Sequence, residues 1–109
     1  MTKNEIDCRL ALAIGYPAKR VRTIHGFVQV YNAWGRLDGP IQYNGWQRFD
    51  HTEPAVIWPI AEKFDAFPMR FPAGLWWTSV PGCDAPQDPQ TSPATATALA
   101  VIRYVEGKK

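Results

Sequence analysis

The chain of 109 residues has few of the groups that enzymes and metal proteins rely on. It has two histidines, His25 and His51, and two cysteines, Cys8 and Cys83. No Cys-x-x-Cys or His-x3-His spacing joins them, so no local motif assembles a set of metal ligands. A Gly-rich phosphate-cradling loop is also missing. No apolar run approaches the ~20 residues that span a bilayer, which gives an expectation of no membrane partner. The opening MTKNEIDCRL contains no signal-peptide apolar core. Two cysteines in such a chain read as reduced thiols, and the expected location is cytoplasmic. The formal charge of +2 is too small to imply a nucleic-acid partner by itself. There is no internal repeat.

Nucleophilic chemistry finds little support. Cys8 falls in an expected helix, where a half-buried thiol is inert. Cys83 lies in PGCDAP, where Asp84 would raise a thiol pKa and nothing supplies a base. Asp50 with Glu53, and Asp84 with Asp88, are more simply a helix cap and a solvated loop. His25 and His51 read as turn and capping residues. The expectation is a non-enzyme with no catalytic residue, no metal and no cofactor.

What the chain does have is proline, tryptophan and clear helix signals. Ten prolines imply several stiff loops, and five tryptophans are many for a chain of this size. Thr2-Lys3-Asn4-Glu5 fits the S/T-x-x-E capping box, and Ile6, Leu10, Ala13 and Ile14 follow at helical spacing. Gly15 and Pro17 end that helix. Residues 20–31 read as a hairpin turning at His25-Gly26. Residues 32–45 hold three turn signals and read as a loop, with a further strand over 46–49. Thr52 is the expected N-cap of a central helix whose apolar stripe is Val56, Ile57, Ile60, Ala61 and Phe64. Pro59 interrupts that stripe, which predicts either one helix kinked there, the preferred reading, or an irregular turn at 53–58 before a shorter helix starting near Pro59; Phe67-Pro68 ends the helical pattern. LWWTSV reads as a strand that must send Trp76 and Trp77 to opposite faces. Residues 81–92 read as a loop, and Ser92-Pro93 opens a third helix with a stripe of Ala98, Leu99, Ile102 and Val105. The expected fold is therefore α+β in the order α-β-β-β-α-β-α. A mainly antiparallel sheet of three to four strands carries three helices in one domain spanning 1–109, with flexible loops near 32–45 and 81–92.

Three of these features recur together in a known group. They are the helix closing in Leu12-Ala13-Ile14-Gly15-Tyr16, the Ala55, Pro59, Ile60, Glu62, Lys63 pattern of the central helix, and the Ala-rich helix from Pro93 to Val105. The chain resembles the NinX-like, or phage ABA-sandwich, proteins, a family of small uncharacterised bacteriophage proteins. It departs from their pattern in the long Trp/Gly loop at 32–45. The resemblance implies phage or prophage origin, a bacterial host cytoplasm, and antiparallel strands between helical layers. It implies no catalytic residues.

Two surfaces remain as binding candidates. Tyr31, Trp34 and Tyr43 lie in or beside a loop that core packing does not demand, with Arg36 and Arg48 nearby. Aromatic and Arg side chains concentrate at protein–protein hot spots. The bland alternative is a small satellite core. Lys19, Arg20 and Arg22 form a basic cluster at the start of the hairpin, suited to phosphates, or merely guarding an edge strand against aggregation. The leading expectation is a phage-type accessory protein, monomer or homodimer, that binds a host or phage protein through the aromatic loop and inhibits a host defence system. The alternative is nucleic-acid binding through the basic hairpin.

Overall fold

The computed structural model describes residues 2–32, 45–81 and 89–107. The expected class holds. Among the described residues, three α-helices accompany two antiparallel sheets, one of three strands and one of two. The chain forms two compact units, Met1–Asp50 and His51–Lys109.

In the first unit, helix α1 (Lys3–Ala13) starts where the capping box places it. The Thr2 hydroxyl accepts from the Glu5 amide at 3.1 Å, and Glu5 Oε1 accepts from the Thr2 amide at 3.2 Å. Two orphan helix-end donors are thereby satisfied. At the other end the Gly15 amide bonds Leu12 O and the Tyr16 amide bonds Ala11 O, with Gly15 at φ +118°. This is a Schellman closure. The buried face is Ile6, Asp7, Leu10 and Ala11, whereas Ala13 and Ile14 are half-buried. The stripe therefore ends earlier than periodicity alone places it, and it includes a carboxylate.

Strands β1 (Val21–Ile24) and β2 (Phe27–Asn32) form the expected hairpin. His25 and Gly26 take φ of 52° and 80°. Positive φ at both central residues is what a two-residue turn needs to match strand twist. Register follows from it: Ile24 opposes Phe27, Arg22 opposes Gln29 and Val21 opposes Val30. β3 (Gly45–Arg48) pairs with the other edge of β2, with Tyr31 opposite Trp46 and Gln29 opposite Arg48. Val28 and Val30 are buried on one face of this sheet, and Asn4 of α1 donates to Gly26 O at 3.2 Å.

In the second unit, α2 (Pro54–Phe64) runs as one helix through Pro59. Pro59 and Ala55 are both exposed, so the carbonyl that loses its partner belongs to the solvent side of the helix. The N-cap is Glu53, not Thr52, because Pro54 at the first helical position forces the residue before it out of the α region. The helix also stops before Phe67-Pro68, at Asp65, which adopts the left-handed conformation (φ 54°). An unanticipated strand, β4 (Met69–Phe71), pairs with β5 (Leu75–Trp77) across a turn at Pro72–Gly74. The Trp-rich strand thus joins a local ribbon and not the larger sheet. Trp76 and Trp77 are both half-buried. Gln90 exchanges two 2.7 Å backbone hydrogen bonds with Trp76, which adds a bridge from a segment that composition marks as loop.

Helix α3 (Pro93–Gly107) begins at Ser92, whose Oγ accepts from the Thr95 amide at 3.3 Å. Its buried residues are Ala94, Ala96, Thr97, Ala98, Ala100, Val101 and Ile102. Leu99 and Val105 are only half-buried, because small side chains on several sides let the first half of the helix pack on more than one face. Phe64 and Tyr104 meet edge-on at 6.1 Å between α2 and α3. Among the described residues no helix is long and apolar enough to cross a membrane.

Candidate functional site: an arginine–aromatic sheet face

Alternation sorts the three-stranded sheet into two faces. Val28 and Val30 mark the buried one. The other carries Arg22 and Ile24 from β1, Phe27, Gln29 and Tyr31 from β2, and Trp46 and Arg48 from β3. None of these seven residues is buried, and Arg22, Phe27 and Arg48 are exposed.

Their side chains are arranged as cations on rings. The Arg22 guanidinium lies 4.0 Å from the centroid of the Trp46 ring, and Arg48 lies 4.1 Å from that of Phe27. Arg20, one residue before β1, lies 5.8 Å from the Tyr31 ring. Tyr31 and Trp46 contact each other edge-on at 5.5 Å. Each contact is of the cation–π or quadrupolar kind, worth ~0.5–1 kcal/mol at an exposed site. Arg22 Nε also donates to Gln29 Oε1 at 3.0 Å, which fixes the plane of its guanidinium.

Arg48 has a second anchor. Its Nη2 lies 3.4 Å from Asp50 Oδ2, and Asp50 Oδ1 lies 3.2 Å from Lys3 Nζ. Lys3 in turn donates to Asp7 Oδ2 at 2.9 Å. Burial draws the Lys3 pKa down, but hydrogen bonds and charges from Asp7 and Asp50 outweigh it and hold the ammonium above the ordinary lysine value. An ionic chain thus runs from the first helix to the rim of the sheet face.

The two surfaces proposed from sequence converge here. Tyr31 and Arg48, assigned to protein binding, share this face with Arg22 and a neighbouring Arg20, assigned to nucleic acid. Lys19 is exposed beside Arg20. Trp34, Arg36 and Tyr43 lie outside the described residues. Phe27 and Gln29 were missed by sequence reasoning, although a two-residue turn at His25-Gly26 already dictates that Gln29 faces Arg22. The placement of Trp46 and Arg48 needs the β2–β3 register, which no local signal supplies.

The histidines do other work. His25 forms the hairpin turn. His51 is 1% exposed and its Nε2 lies 2.9 Å from Thr95 Oγ1, so within the second unit it pins the segment before α2 to α3. Thr78 and Thr97 form a further buried hydroxyl pair at 3.5 Å that the sequence did not announce.

The seven face residues include no carboxylate, thiol, imidazole or aliphatic hydroxyl. Guanidinium N–H groups offer charge-assisted hydrogen bonds to anions, and the ring and guanidinium planes offer stacking surface. No protein-family model, curated protein or solved structure matches this chain.

Proposed function

We propose that this is a small non-enzymatic accessory protein of phage type that acts by binding in the cytoplasm of a bacterial host. Its working surface is the open face of the three-stranded sheet. The observation that carries this reading is the pairing of three arginines with three aromatic rings on and beside one sheet face, none of the six buried. An arginine needed only for solubility extends into water. Here the Arg22 and Arg48 guanidiniums lie about 4 Å from ring centroids and hydrogen-bond Gln29 and Asp50. Side chains already ordered lose little entropy when a partner arrives, and preorganised Arg and aromatic groups are the usual anchors of interfaces.

The partner presents negative charge. Residues 1–50 hold seven Lys and Arg against four Asp and Glu, whereas residues 51–109 hold five against six. The positive half is the one that bears the face. Inhibition of a host defence system suits a phage-type protein that works by occupying a partner and not by altering it.

The test is affinity capture from bacterial lysate with the tagged wild type and with Arg22→Ala/Arg48→Ala. The double variant is expected to lose partner capture while its melting temperature stays within a few degrees of wild type. Equal capture by both proteins would place the working surface elsewhere.

A further inference from the structure

We infer that the sheet face is a platform for single-stranded polynucleotide. The inference rests on the reading of that face as the working surface and names the chemistry of its partner. Bases stack against the ring–guanidinium pairs at Tyr31, Trp46 and Phe27, while the N–H groups of Arg20, Arg22 and Arg48 take phosphates.

A guanidinium is itself flat and cationic, and here two of them lie within about 4 Å of ring centroids. The face therefore offers planar surface and N–H donors side by side. A single strand has the matching repeat, since each nucleotide supplies one flat base and one phosphate. An acidic polypeptide would satisfy the N–H edges but bring no planar groups for three rings and three guanidiniums. Duplex DNA keeps its bases stacked inside, so a face like this would reach only its phosphates.

Dimensions agree. Side chains two apart on one face of a strand are spaced about 6.7 Å, so Phe27, Gln29 and Tyr31 mark out about 13 Å along β2. Arg22 and Trp46 flank that line from the neighbouring strands. The platform suits roughly three nucleotides, short of the ~4–16 that a whole single-strand-binding fold covers. Gln29, the one face residue with an amide donor and acceptor, has its Oε1 engaged by Arg22 Nε, so recognition is by stacking and charge and has little sequence preference.

The test uses the full chain and fluorescently labelled oligothymidylate and oligouridylate of about 12 nucleotides, within the usual span of such sites. A mixed-sequence DNA duplex of the same length and polyglutamate serve as controls. Single strands are expected to bind, to quench tryptophan fluorescence, and to bind more tightly than the duplex. The thymidylate and uridylate arms separate DNA from RNA. Three phosphate contacts predict a log–log salt slope of about −2, a roughly 20-fold loss between about 50 and 200 mM salt. Trp46→Ala is expected to weaken binding about 5- to 100-fold and to remove part of the quenching. Arg22→Gln/Arg48→Gln, at exposed positions, is expected to flatten the salt slope without disturbing the fold. Equal affinity for duplex and single strand, with Trp46→Ala neutral, would overturn stacking. Binding of polyglutamate in preference to either oligonucleotide would assign the face to an acidic protein. If no oligonucleotide binds while lysate capture still depends on Arg22 and Arg48, this inference falls and the broader reading stands. If capture does not depend on them, both fall.

Discussion

Among the described residues, three besides glycine hold positive φ: His25 (52°), Asp65 (54°) and Ala73 (69°). L-residues pay about 1–2 kcal/mol in that region, less for a short polar side chain that bonds locally. Asp65 has such a side chain and closes α2. Ala73 has none. It precedes Gly74, itself at φ 76°, in the turn that joins β4 to β5. Ala73→Gly removes the steric cost and is expected to stabilise the protein by about 1 kcal/mol, offset in part by the extra freedom of the unfolded chain. Thermal melting checks this, with a rise of several degrees expected for each ~1 kcal/mol in a chain of this size. A lower melting temperature would show that the turn does not hold Ala73 in this conformation. His25 teaches a related lesson about legibility. A histidine is a poor choice for a position of positive φ, yet Gly26 and the alternation on either side outweighed it. The hairpin was readable because several weak signals agreed on one turn.

At the scale of elements, what was readable is what neighbours in sequence decide. The capping box of α1, the Ser92 cap of α3 and the continuous helix through Pro59 all depend on contacts within four residues. The failures are equally local in cause. Thr52 lost the capping place to Glu53 because Pro54 constrains only its immediate predecessor. β4 and the Gln90 bridge went unseen because three residues and one residue carry too short a pattern to register. The α1 cap yields a pH prediction. Hydrogen bonds from the Thr2 backbone and hydroxyl hold the Glu5 carboxyl below its ordinary value. A carboxyl whose folded pKa is depressed contributes stability above its unfolded pKa, near 4.5, and loses it as pH falls through the folded value. Thr2→Ala should therefore lower the melting temperature at neutral pH, and the gap from wild type should narrow as pH drops below 4.5. A gap independent of pH would trace the loss to the Thr2 hydroxyl's bond with the Glu5 amide and not to the Glu5 carboxylate.

For the molecule as a whole, a net charge of +2 hides an uneven distribution, and composition alone concealed the candidate site for that reason. Sequence reasoning kept the aromatic loop with Arg36 and Arg48 and the basic cluster Lys19, Arg20 and Arg22 as rival surfaces, because members such as Arg20 and Arg48 lie 28 positions apart. Sheet register brings them together, and register between β2 and β3 is a long-range property. The same face depends on charges behind it. Lys3 joins the buried carboxylates Asp7 and Asp50, and Asp50 holds Arg48. Removing the ammonium by Lys3→Met leaves two carboxylates that both reached one cation. With the Lys3 side chain 44% exposed, solvent screens the interaction, and a loss of roughly 1–2 kcal/mol is expected instead of the larger cost of breaking a fully buried pair. The pH dependence identifies the cause. A lysine whose folded pKa is raised contributes stability that is complete below its unfolded value, 10.5, and is lost as pH rises through the folded value. Denaturant unfolding of wild type and Lys3→Met should show a steady difference through neutral pH that closes above 10.5. A difference that persists well above that value would trace the loss to packing of the lysine stem and not to its charge.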